Sequence, residues 1–147
     1  MKISIKKYYI FIESDTLVSI LGKFSGLGNE AQGVGIFPFL IIRIHLKLPH
    51  KRDELINHEK IHLIQQVELL IIGAFIFHLC EYIYARFVKK LSKRDSYYFP
   101  ATEQEAHQNA MNQDYLSQRK PYELFNYIKN KKKLGRDADD NLIIGQY

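Results

Sequence analysis

Cysteine is nearly missing from this chain: Cys80 stands alone among 147 residues, which excludes an intrachain disulfide and any zinc finger built on thiolates. A reducing compartment is compatible with that, and the expected location is cytoplasmic. No internal repeat, phosphate-cradling glycine motif or nucleic-acid-binding motif occurs, so nucleic acid is not an expected partner. Glu13 and Asp15 interrupt the apolar stretch between Met1 and Leu21, so no cleavable export signal is expected. The apolar run from Leu69 to Cys80, flanked by Glu68 and Glu81, has 12 residues. That is short of the roughly 20 needed to cross a bilayer. Extending it to Val88 would carry Glu81 and Arg86 into lipid, at about 2.5–3.5 kcal/mol each. The run reads as a buried helix, with peripheral membrane contact through residues 69–91 as the rival.

What is present favours a folded domain. Hydrophobic residues make up 46% and charged residues 25%, with ten Tyr and nine Phe, which no disordered tail would carry. The expectation is a single domain over residues 1–147, with its core in 34–128 and a basic, polar tail at 129–147. The net charge of +5 gathers in Lys89, Lys90, Lys93 and Arg94, and in Lys129, Lys131, Lys132, Lys133 and Arg136. Both clusters read as solvated helix ends, with cations near carbonyl termini.

Along the chain, MKISIKKYYIFI and TLVSIL are β-prone, and the glycine-rich LGKFSGLGNEAQGVG reads as a connection. Alternation of Ile42, Ile44, Leu46 and Leu48 with Arg43, His45 and Lys47 predicts a strand, and Pro38 marks it as an edge strand. Asp53 is placed to cap a helix over DELINHEKIHLIQQVELL, and a second apolar helix runs past Gly73 to about Leu91. After a loop at SKRDSYYFP, Thr102 and Glu105 form a capping-box pair opening ATEQEAHQNAMNQDYLSQ, and YELFNYIKNKKK supplies a fourth helix.

The chemistry-bearing motif is HEKIH. Residues four apart share one helix face, so His58 and His62 can present two imidazoles to one zinc ion at about 2.0–2.1 Å. Glu59 then leans toward the water that zinc would acidify to a pKa near 7, and its carboxylate can take the proton as that water attacks a carbonyl. By composition, H-E-x-x-H arises by chance in roughly one or two such sequences per hundred. Leu55, Ile56, Leu63 and Val67 provide an apolar side to bury the helix. An edge strand just upstream suggests pairing with an extended substrate.

Glu81, Glu103 and Glu105 compete to be the third ligand. Were residues 62 to 81 one helix, 19 steps of 1.5 Å would set Glu81 about 28 Å from His62, so only a sharp reversal near Gly73 would return it. Glu103 and Glu105 lie on a separate helix. Glu105 is preferred, because Asn109 one turn later could orient a ligand; Glu103, with His107 one turn on, is its rival.

HEKIH followed by ATEQEAHQN resembles gluzincin metallopeptidases, in which a Glu on a later helix completes the site. The Glu-Ala pair at 105–106 is similar to the thermolysin-type ligand segment, with Asn109 where that family has an acid. EQEAH at 103–107 is similar to the E-x-x-A-D of membrane-bound heat-shock zinc peptidases, which would make Glu103 the ligand and puts His107 in place of Asp. The 18-residue interval between His62 and Glu81 resembles one branch of zinc aminopeptidases. Residues 34 to 128 resemble a family of small bacterial zincin-like proteins, a resemblance that implies zinc more strongly than peptidase activity.

The expected architecture is α+β and zincin-like: a small, partly antiparallel N-terminal sheet, then an active-site helix and two or three packed helices. The expected function is a metallopeptidase with one zinc on His58, His62 and Glu105, Glu59 as general base, and a peptide or protein substrate. The rivals are a non-catalytic zinc protein and a membrane-peripheral interaction protein. Tyr97, Tyr98, His107 and Tyr115 are candidates to stabilise an oxyanion, none of them assigned. His78 reads as a satisfied core histidine, and His45 and His50 as strand and loop residues. Gln65 and Gln66 could brace a ligand. Phe75, Phe77, Tyr82 and Tyr84 read as packing residues.

Overall fold

The N-terminal β-prone stretch divides at Ser14. Before it, β1 (Lys2–Ile5) and β2 (Ile10–Glu13) pair antiparallel. After it, TLVSIL is helical, contrary to its β-branched composition, within α1 (Asp15–Ser25). Ser14 Oγ accepts from the Leu17 backbone N–H at 3.3 Å, and Asp15 sits at the positive end of the helix, so two start signals outweigh propensity. The computed structural model describes residues 1–25, 30–131, 134–136 and 142–144.

Strands β3 (Gly33–Ile36) and β4 (Phe39–Ile42) complete a mixed sheet of order β1-β2-β4-β3, in which β2 and β4 are parallel. Two expectations change here. Part of the supposed connection, GVGI, is the edge strand, and β4 is interior. The alternation beyond Ile42 forms no strand, because the pairing with β2 and β3 ends there and Arg43 turns its Nε to Ala31 O at 2.8 Å. Pro38 occupies the β3–β4 turn, where its missing N–H costs the ladder nothing.

After a short 3-10 turn (Pro49–Lys51) comes α2 (Arg52–Glu68). Asp53 lies in its first turn and does not cap it; Lys51 is the cap position. A 110° bend then redirects the chain into α3 (Ile72–Ile83), which continues as a π-helical turn (Tyr84–Val88). Leu70 and Ile71 make the bend with φ of 57° and 58°. The expected loop after it contains α4 (Lys93–Tyr98). The third expected helix is shorter, as α5 (Ala101–Asn109), and separate from α6 (Tyr115–Gln118). Then follow α7 (Leu124–Lys129) and the antiparallel pair β5 (Leu134–Arg136) and β6 (Leu142–Ile144). Much of the expected C-terminal tail lies outside the described residues.

The result is an α+β fold. Alternate β4 residues serve two faces of the sheet: Ile41 joins Ile12 and Val18 toward α1, while Leu40 and Ile42 meet Leu63 of α2. Each such fully buried aliphatic side chain contributes about 1.5–3 kcal/mol. Gly35 lets α2 lie against β3, since a Cβ there would stand 2.9 Å from the Glu59 carbonyl oxygen. Gly35→Ala is therefore expected to cost about 1–3 kcal/mol in urea unfolding; an unchanged midpoint would contradict the close approach.

Candidate metal centre

The site forms where α2 crosses α5, and buried polar side chains fix that crossing. Asn57, 2% exposed, directs its amide nitrogen at the carbonyls of Asn109, Ala110 and Asn112 at 2.9–3.0 Å, holding the end of α5. At the other end, Glu81 Oε2 accepts from the Ala101 N–H at 2.7 Å, while its Oε1 pairs with Lys131. Thr102 is thus not the cap of α5; the carboxylate from α3 satisfies its first N–H. The bend does bring Glu81 back toward the site, but as the anchor of α5 and not as a donor beside the histidines.

Between these anchors Glu103 projects at HEKIH. His62 Nε2 lies 3.4 Å from Glu103 Oε1, His58 Nε2 lies 3.7 Å from Oε2, and the two Nε2 atoms are 3.1 Å apart. Glu103 is 3% exposed, and its Oε2 is buried with no hydrogen-bond partner. Two imidazoles and a buried carboxylate packed this closely require a proton or a cation between them. Bonds of 2.0–2.1 Å in a tetrahedron put donors about 3.4 Å apart, so the residues present fit a zinc ion. The carboxylate beside the two histidines is that of Glu103 and not that of the preferred Glu105, which pairs with Arg119. Two positions apart on a helix, the two carboxylates face different sides.

Glu105 has another task. Fully buried, it receives Arg119 Nε (2.5 Å), Tyr115 Oη (3.1 Å) and Gln65 Nε2 (3.0 Å). Gln65 Nε2 also donates to Thr102 O at 3.1 Å, which commits its amide nitrogen and turns Oε1 to His62 Nδ1 at 2.9 Å. That oxygen accepts only, so Nδ1 carries a proton and Nε2 is the nitrogen that faces Glu103, as a second N–H donor to its carboxylate or, once deprotonated, as a ligand to a metal. Arg119, which also bridges to Glu68 at 2.7 and 2.9 Å, was not anticipated from sequence; nor was Glu68. A lone Arg in SQRKP carries no local signal for a partner 51 residues away. Gly33 and Gly35 were also missed. Their period of two around Val34, ahead of Ile36, was the available sign of a strand pressed against something.

Electrostatics distinguish the groups. Burial opposes charge on His62, but Glu103 outweighs it and raises the ring to about 9. Burial, with His107 and His62 nearby, holds His58 well below the usual histidine range. Burial would raise Glu103, yet His62, His58 and His78 keep it well below ordinary carboxylates. Glu59 is lifted by burial to about 7, while a hydrogen bond from the Gly35 backbone tempers the rise.

Glu59, His62 and Glu103 line one side of a cavity of about 560 Å³, and Phe75, Leu79 and Tyr82 give it an apolar side. Tyr97 lines it too; burial, then Glu103, raise its phenol well above 10. His78 also lines it, with Nδ1 3.0 Å from Thr102 Oγ1, a satisfied histidine at the cavity wall. Tyr98 packs edge-on against His107, and Tyr115 serves Glu105. His45 pairs with Asp15 at 3.1 Å on the surface, away from this site, and His50 lies in the turn before α2. Gln66 ties α2 to β3, accepting from Phe37 N at 2.8 Å and donating to Gly35 O at 2.7 Å. The expected docking of an extended substrate on an edge strand is thus corrected at Gly35 and Phe37, whose outward groups are already bonded.

No protein-family model, curated protein or solved structure matches the chain.

Zinc titration separates the two acids. Glu103→Gln is expected to weaken zinc binding by more than about 100-fold, and Glu105→Gln by about 10–100-fold through Gln65. The reverse order would restore Glu105 as the donor.

Proposed function

We propose that the chain is a zinc-dependent peptide hydrolase whose metal is held by His58, His62 and Glu103, with Glu59 as general base. The observation that carries the reading is the placement of Glu59: a buried carboxylate next in sequence to one candidate donor and lining the same cavity as His62 and Glu103. A base poised near neutrality is half ready to accept a proton and strong enough to return it.

When bound, zinc supplies a Lewis acid that polarises a carbonyl and acidifies water. The chain's own residues do the rest. Glu59 receives a proton on its carboxylate during attack and delivers it to the leaving amine. Its bond from Gly35 N–H holds the carboxylate in place. Tyr97, kept a neutral phenol at the cavity and hydrogen-bonded to Glu103, would turn that donor to the charge developing on the carbonyl oxygen. Phe75, Leu79 and Tyr82 give the cavity an apolar wall, which favours an apolar substrate side chain.

Elemental analysis is expected to give one zinc per chain, lost in a His58→Ala, His62→Ala double variant. Glu59→Gln should retain the metal while peptide-library hydrolysis drops to background. A metal-free wild type, even after refolding with zinc, would sink the reading, as would an active Glu59→Gln.

A separate observation favours a second, compatible reading, attachment to a membrane surface. Ile72 (71% exposed), Ile76 (58%) and Phe87 (72%) stand out on α3 and its π-helical extension, which lead directly to exposed Lys89 and Lys90. A solvated apolar row ending in cations suits the interface of an anionic bilayer. Among the described residues no single helix is long and apolar enough to cross a membrane. The chain is expected to float with phosphatidylserine vesicles, and an Ile76→Asp, Phe87→Asp variant to stay behind. Equal flotation of both proteins would discard this reading.

A further inference from the structure

The site contains one more imidazole than hydrolysis requires. His107 follows Glu103 by one turn of α5, and its Nε2 lies 3.8 Å from Glu103 Oε2. That oxygen is the buried one without a hydrogen-bond partner, and it also faces His58 Nε2 at 3.7 Å. The candidate donor atoms of His58, Glu103 and His107 all lie within 4.8 Å of one another. The His58 and His107 rings meet at 4.6 Å and 68°, close to edge-on. Stacked rings would hold their nitrogens in parallel planes; an edge-on pair can turn both toward a common point.

We propose that His107 is a third imidazole donor to the ion held by His58, His62 and Glu103, filling the place hydrolysis needs for water and thereby acting as a detachable latch. The proposal rests on the metal reading given above. Its geometric basis is that His107 joins His58 and Glu103 in one set of donor atoms within 4.8 Å, beside His62, whose Nε2 lies 3.1 Å from His58 Nε2 and 3.4 Å from Glu103 Oε1. The Nε2–Oε2 distance to His107 differs by only 0.1 Å from the one to His58 (3.8 against 3.7 Å). Detachment follows from exposure: the His107 side chain is 36% exposed, against 12% for His58 and 15% for His62. Gln65 fixes the His62 ring from behind, whereas the contacts of the His107 ring include edge-on packing against Tyr98 at 4.9 Å. A chain with the latch closed would store zinc and hydrolyse slowly; substrate entering the cavity would compete with His107 for the ion.

The test uses the full chain loaded with zinc alone and compares wild type with His107→Ala and His107→Gln, each checked for retained helicity by circular dichroism. X-ray absorption at the zinc edge is expected to count three imidazoles in the wild type and two in both variants. Zinc affinity should fall by about tenfold or more in the variants. With cobalt in place of zinc, azide should perturb the visible spectrum of the variants at lower concentration than that of the wild type. Two imidazoles in all three proteins would overturn the latch and leave the metal centre standing. Absence of bound metal from all three would overturn the metal centre itself and the latch with it.

Discussion

A carboxylate as deeply buried as Glu103 stays ionised only where positive charge or strong donors face it, since an unpaired buried charge costs several kcal/mol. Much of the molecule's polar interior can be traced to meeting that condition. His62 answers it directly. Asn57 and Glu81 clamp the two ends of α5 so that the carboxylate cannot move away. Glu105, two residues on, is neutralised separately by Arg119, so the two acids do not compete for the same cation. Oε2 of Glu103 is the part of this arrangement that the described residues leave without a hydrogen-bond partner.

The buried polar groups also form a continuous line. Glu68 and Glu105 hold Arg119; Glu105 orients Gln65; Gln65 orients the ring of His62 through Nδ1. Each link leaves the next side chain one orientation. A site built this way is rigid before any ligand arrives, and rigidity of the donor side chains is what favours one ion geometry over others.

The helix that carries HEKIH was legible in sequence because its motif is local: the positions of His58 and His62 relative to each other follow from helical pitch alone. The choice between Glu103 and Glu105 was not, because it depends on how α5 is rotated about its axis. Glu81 from α3 and Arg119 beyond α6 set that rotation, both far away in sequence. The strand read at residues 42–48 failed for a related reason. Alternation reports which residues would fit a sheet, but β4 lasts only as long as its neighbours, and they end opposite Ile42. The helix at Asp15–Ser25 shows the converse, a β-branched stretch made helical by what precedes it. The α+β character survived these local misreadings because it rests on the order of strands and helices and not on their boundaries.

The contact between Gln66 and strand β3 has a consequence for the solubility of the protein. The side-chain amide of Gln66 accepts from Phe37 N–H and donates to Gly35 C=O, as the peptide group of an adjoining strand would. Bare strand edges recruit other chains and seed aggregates. Here a single glutamine from the neighbouring helix stands in for the missing strand, so the sheet is closed to strangers at the one margin that also borders the cavity.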